Sequence, residues 1–75
     1  MNIAKVVDAK GLSCPMPLVK SKKAIDQLAS GEVVEVKTTD KGAKKDLAAW
    51  AQASGHQLVD MKEENGVFTF WIKKA

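Results

Sequence analysis

Asn65-Gly66 lies between two short runs of alternating residues, and no other dipeptide constrains the fold as tightly. Asparagine and glycine tolerate the consecutive left-handed conformations that a two-residue hairpin turn demands. The flanking runs are therefore antiparallel strands. One is His56 to Glu63. The other, Val67 to Lys73, sets Phe68, Phe70 and Ile72 on one side and Val67, Thr69, Trp71 and Lys73 on the other.

The sequence upstream supplies the rest of a sheet and its cover. Ile3 to Asp8 is short and β-branched and reads as a strand, and Gly11 and Ser13 follow as a turn. Pro15 to Ala29 places Leu18, Ile25, Leu28 and Ala29 at helical spacing, with Lys22, Lys23, Asp26 and Gln27 opposite, and Ser30-Gly31 ends it. Glu32 to Thr39 alternates as a strand, with Val34 and Val36 facing one way and Val33, Glu35 and Lys37 the other. Asp40 is an N-cap for a second helix whose apolar face holds Ala43, Leu47, Trp50, Ala51 and Ser54, and Gly55 closes it.

The order is β-α-β-α-β-β. Right-handed crossovers put both helices on the same side of the strands. The expected fold is an α+β two-layer sandwich: a four-stranded mixed sheet with two helices on one face. The other face is open, with Trp71, Val67 and Val33 on it. Residues 1–75 form a single domain. A chain of 75 residues builds one core and has nothing left for a deep enclosed cavity, so its site lies at the surface and works with a partner.

The first eight residues hold too short an apolar run for a signal peptide, and no stretch approaches the ~20 apolar residues of a membrane span. A single cysteine and no possible internal disulfide suit a reducing compartment, so the expected location is cytoplasmic. The net charge is +3 and every basic residue is lysine. Without arginine, the residue that grips phosphates and bases bidentately, direct nucleic-acid binding is disfavoured. The lysines at positions 20, 22, 23, 37, 41, 44 and 45 are solvated helix and strand faces, or a positive field that steers an acidic partner.

The lone cysteine, Cys14, stands between a glycine turn and both prolines of the chain, in "GLSCPMPLVK". Pro15 suits the first position of a helix, and a residue before proline is pushed toward the extended geometry of a cap. Cys14 is thus expected at the N-cap. Pro17 falls within the first turn, where no helical hydrogen bond is lost. The amides of Met16 and Leu18 are then donors near the sulfur. A helix N-terminus favours an anion, and cysteines there titrate below the ordinary thiol range. The bland alternative is a small buried hydrophobe. A dithiol mechanism lacks a second cysteine. A thiol hydrolase would have to use His56, which sits better as a strand-start residue. A metal site would need more ligands, so neither metal nor cofactor is expected. Cys14 looks like a carrier residue.

The stretch "DAKGLSCPMP", Asp8 to Pro17, resembles the Cys-Pro-X-Pro signature of the TusA/SirA-like sulfur carriers, and "TTDKGAKKDLAAWAQASGHQLV", Thr38 to Val59, is similar to the second helix and following strand of that family. Lys41 and Ala48 stand where many members carry proline, and Met16 stands where some tRNA-thiolation members are acidic. The resemblance implies strand order 1-2-4-3 and a cysteine that accepts sulfane sulfur as a persulfide and hands it to another protein. Cys14 would bear the persulfide. Gly11, Pro15, Met16, Pro17 and Leu18 would support it, and Lys20, Lys22 and Lys23 would dock partners. These would be a sulfur donor, such as a cysteine desulfurase or a rhodanese-like protein, and an acceptor. The alternatives are a thiosulfate or thiosulfonate carrier, and a non-catalytic regulatory or RNA-binding module.

Overall fold

The computed structural model describes residues 3–13 and 16–75. The elements run β1 (Ile3–Ala9), α1 (Met16–Asp26), β2 (Val33–Thr38), α2 (Ala43–Ser54), β3 (Gln57–Glu64) and β4 (Val67–Lys73). The strands form one sheet in the order β1-β2-β4-β3. β1 and β2 are parallel, while β4 is antiparallel to both β2 and β3. The sheet is therefore mixed, as expected.

One core joins the layers. Val34 and Val36 of β2 and Phe68, Phe70 and Ile72 of β4 pack with Ile25 of α1 and Leu47 of α2. Both helices share this cluster, so both cover the same sheet face. The period-2 reading of β4 is borne out in full: Phe68, Phe70 and Ile72 are buried, while Val67, Thr69 and Trp71 are only half-buried. Asn65 and Gly66 have φ of 52° and 79°, the paired left-handed conformations that the turn requires.

The structure departs from expectation in four places. α1 is regular only to Asp26, and Gln27 and Leu28 continue as tighter turns onto Ala24 and Ile25. Gly31 (φ +87°) therefore serves a separate turn, its N–H bonded to the Lys74 carbonyl at 2.9 Å, and does not terminate the helix. α2 begins at Ala43 with Gly42 at the cap position, and Asp40 acts two residues before that cap: its Oδ1 accepts the Gly42 N–H at 3.1 Å. Val33 shares strand phase with Glu35 and Lys37 but is buried. Finally, the β3–β4 register slips between Leu58 and Asp60. Val59 is the extra residue and is exposed, while Leu58 and Met61, three positions apart, both reach the core.

Among the described residues, no helix is long and apolar enough to cross a membrane.

Candidate functional site

β1 and β2 run parallel and each is followed by a helix. The N-termini of α1 and α2 therefore lie toward the same end of the sheet. The loop after β1, which carries the cysteine motif, is held there by short-range bonds. Gly11 takes φ +80°, a conformation that side chains disfavour. Its N–H donates to Thr39 Oγ1 at 2.9 Å, just past the end of β2. The Leu12 N–H returns to the Ala9 carbonyl at 3.2 Å.

Cys14 and Pro15 lie outside the described residues, and so does their expected placement at the N-cap and first helical position. The neighbouring site residues are described. The Met16 N–H donates to the Ser13 carbonyl at 3.0 Å. It is thus engaged, where the sequence suggested a free donor. The Met16 side chain is exposed. Leu18 is half-buried against the core. Pro17 is fully buried, and its carbonyl accepts the hydroxyl of Ser21, also fully buried, at 2.7 Å. Pro17 thus packs the helix onto the sheet as well as stiffening the motif. Ser21 and Ala24 belong to this buried face, and sequence reading passed over them because neither is large and apolar.

Lys20, Lys22 and Lys23 are all exposed on α1. The helix divides them. Lys20 and Lys23, three residues apart, line one groove with Lys5, Val6, Asp8 and Gln27, and Lys22 is not part of it. Lys41, Lys44 and Lys45 are exposed at the start of α2. The motif end of the molecule therefore combines two helix N-termini with several lysines and with the carboxylates of Asp40 and Asp46, and the lysine excess together with the helix ends favours an anion.

His56 is committed elsewhere. Its Nδ1 accepts the Ala75 N–H at 3.0 Å, and its ring meets Trp50 edge-on with centroids 5.5 Å apart. This fits the strand-start role read from the sequence.

The sheet face away from the helices carries its own shallow groove, lined by Glu35, Lys37, Lys62, Glu64, Thr69 and Trp71. Lys10 also lines it; the other charges are paired with one another. Trp71 Nε1 donates to Glu35 Oε1 at 2.8 Å, Lys37 Nζ lies 3.7 Å from Glu35 Oε2, and Lys62 Nζ lies 2.9 Å from Glu64 Oε2. The hydrogen bond and charge of Lys62 hold the Glu64 carboxyl below the usual carboxylate range, and Glu64 raises Lys62 in return.

Residues 5–74 match the family described as Sulfurtransferase TusA. The chain is 53% identical to the putative sulfur carrier protein YrkI of Bacillus subtilis, with all of both chains covered. It is 45% identical to the sulfur carrier protein TusA of Allochromatium vinosum, covering 92% of this chain and 91% of that one. The crystal structure of a SirA-like protein from Desulfitobacterium hafniense superposes with a TM-score of 0.83 at 31% identity, covering 92% of this chain and 95% of that one. Sequence and fold agree along nearly the whole length, and the chain belongs to the sulfurtransferase TusA family of sulfur carriers.

Proposed function

We propose that Cys14 is the residue that carries the sulfur, as a persulfide, and that residues 1–75 act as one carrier domain. A sulfur carrier works between a donor and an acceptor. In the proposed cycle the Cys14 thiolate attacks the terminal sulfur of a donor persulfide. A new S–S bond forms at Cys14, the donor's S–S bond breaks, and the donor cysteine departs as thiolate. An acceptor thiolate then attacks the same terminal sulfur and Cys14 departs as thiolate. One sulfane sulfur moves and no net oxidant or reductant is consumed. A cysteine that ionises readily serves both steps, because thiolate is the attacking form and a weakly basic thiolate leaves faster.

The observation that supports this reading most is the placement of the motif loop. It is bonded to Thr39 at the end of the sheet toward which both helix N-termini lie, and its flanking residues Gly11 and Pro17 are fixed by backbone geometry and burial. Such an end stabilises a sulfur anion between the two steps. Gly11, Pro15, Met16, Pro17 and Leu18 support the cysteine in this reading, and the exposed lysines Lys20, Lys22 and Lys23 meet the partners. Cysteine desulfurases and rhodanese-like proteins are suitable donors, in a cytoplasmic setting, with no part for nucleic acid in the docking itself.

Intact-mass measurement tests the reading. The protein incubated with a persulfide donor gains one sulfur atom, which a reductant removes, while Cys14→Ser folds and gains nothing. Sulfur retained on Cys14→Ser would sink the proposal. Incubation with tetrathionate in place of the persulfide donor tests the alternative cargo: the Cys14 thiolate attacks an inner sulfur, thiosulfate departs, and the heavier –S–SO3− group stays on the cysteine.

A further inference from the structure

We propose that the groove between the outer edge of β1 and helix α1 docks an extended acidic segment of a partner protein, which joins the sheet as a fifth strand beside β1. The purpose of the site rests on the carrier reading above, but the binding itself involves no sulfur chemistry.

β1 is an outer strand of the sheet and pairs on one side only, with β2. An outer strand offers a row of unpaired N–H and C=O groups to any extended chain. Each outer strand carries one irregularity, at Val59 in β3 and between Ile3 and Lys5 in β1. Beyond it β1 pairs without a break from Lys5 to Ala9, and Val6 in that stretch is 57% exposed. What sets the edge of β1 apart is the groove of lysines beside it.

Charge selects the occupant. Lys5, Lys20 and Lys23 line the groove, and the single acid among its lining residues is Asp8, whose Oδ1 already accepts the Lys10 N–H. Among the described residues none of these three lysines is ion-paired, and Lys5 instead donates to the side-chain oxygen of Gln27 across the groove. On the helix-free face, by contrast, Lys37 and Lys62 each have a glutamate, and of the lysines lining that groove Lys10 alone has no ion pair among the described residues. The groove beside β1 thus sets three cations without ion pairs beside a free strand edge, against the single carboxylate of Asp8. A second copy of this chain is a poor occupant through its own β1, which would bring the same lysines together.

A strand added beside β1 alternates its side chains between the two sheet faces. Every second one points toward α1 and its lysines, and the others lie beside Val6. The fitting segment therefore has acidic residues at every second position, with small apolar residues between, over about the length of β1.

The probe is a heptapeptide alternating glutamate and valine, blocked at both ends and titrated into the isotope-labelled protein. Two further peptides carry backbone N-methyl groups on one or the other set of alternate residues. The expected result is shifts in the amide signals of β1 and of Lys20 and Lys23, with binding abolished in one N-methylated peptide and kept in the other. Lys20→Glu with Lys23→Glu should weaken binding at least about fivefold, as the loss of two exposed charge pairs implies, while Lys22→Glu changes it less than about twofold. Any of four results would overturn the proposal: no shifts at millimolar peptide, equal binding by both N-methylated peptides, equal effects from Lys22→Glu and the pair, or shifts confined to the face of Trp71. Cys14→Ser should bind the peptide like the parent. Failure here therefore leaves the persulfide reading standing, and failure of sulfur loading leaves the groove standing.

Discussion

The Gly11 N–H donates to Thr39 Oγ1 at 2.9 Å and so fastens the motif loop after β1 to the segment that leads into α2. The pair is exposed, and its direct contribution to stability is small, under about 1 kcal/mol by the usual worth of such a bond. Its effect is positional. Thr39→Val keeps the shape and removes the acceptor, and we expect it to slow sulfur loading of Cys14 while leaving the denaturation midpoint nearly unchanged. Thr39→Ser retains the oxygen and should restore the rate. Equal loading by all three proteins would mean that the loop holds its form without this bond.

The hairpin turn gives a sharper stability prediction. Gly66 has φ +79° with nothing within 4 Å of where a Cβ would stand, so a side chain there meets strain without a clash. Gly66→Ala should cost about 1–2 kcal/mol, the usual penalty for holding a side chain in the left-handed region. Asn65, at φ 52°, should accept glycine with little loss. Urea denaturation of the two variants checks the order. A Gly66→Ala protein as stable as Asn65→Gly would contradict the turn geometry.

This turn was legible because its chemistry is local: two residue types, two positive φ values, and strands that alternate on either side. The same holds for β4 and for the face of α2 that carries Ala43, Leu47 and Ala51. The bulge at Val59 was not legible. Before it, Leu58 points to the core, and after it Met61 does, so no single alternation over the run finds both. The inner face of α1 was half legible. Ile25 announces it, but Pro17, Ser21 and Ala24 complete it, and small or polar residues leave no hydrophobic signal until their burial is seen. The three lysines of α1 read as one cluster along the chain. Helical spacing separates Lys22 from the other two.

Pro17 carries a prediction that distinguishes packing from motif stiffness. Its ring is fully buried, and the Ser21 hydroxyl is bonded to its carbonyl. Pro17→Ala loses roughly two buried methylenes and some restraint on the unfolded chain, and should cost about 2 kcal/mol. Ser21→Ala loses one hydrogen bond and gains helix propensity, so its cost should stay below about 1 kcal/mol. A Pro17→Ala protein with an unchanged midpoint would confine the role of this proline to the neighbourhood of the sulfur.

The last prediction concerns the field at the motif end. α1 and α2 both start at that end of the sheet, and Lys41, Lys44 and Lys45 are exposed where α2 begins. Gly11 is bonded to Thr39, two residues before Lys41, so the motif loop and this basic turn are held close. A positive potential there would attract an anionic reagent to Cys14 more than a neutral one of equal size. We expect iodoacetate to react with Cys14 unusually fast relative to iodoacetamide. The ratio should fall as salt rises, since screening acts over ~8–10 Å at ordinary ionic strength. Lys44→Glu with Lys45→Glu should lower the ratio further at low salt, with little change in folding stability, because exposed substitutions usually stay within about 0.5 kcal/mol. The alkylation midpoint of Cys14 on a pH scale should lie below the ordinary thiol range and move up in the same variant. A ratio that ignores both salt and the two substitutions would show that the lysines of α2 are only a solvated face. The anion would then owe its stability to the first turn of α1 alone.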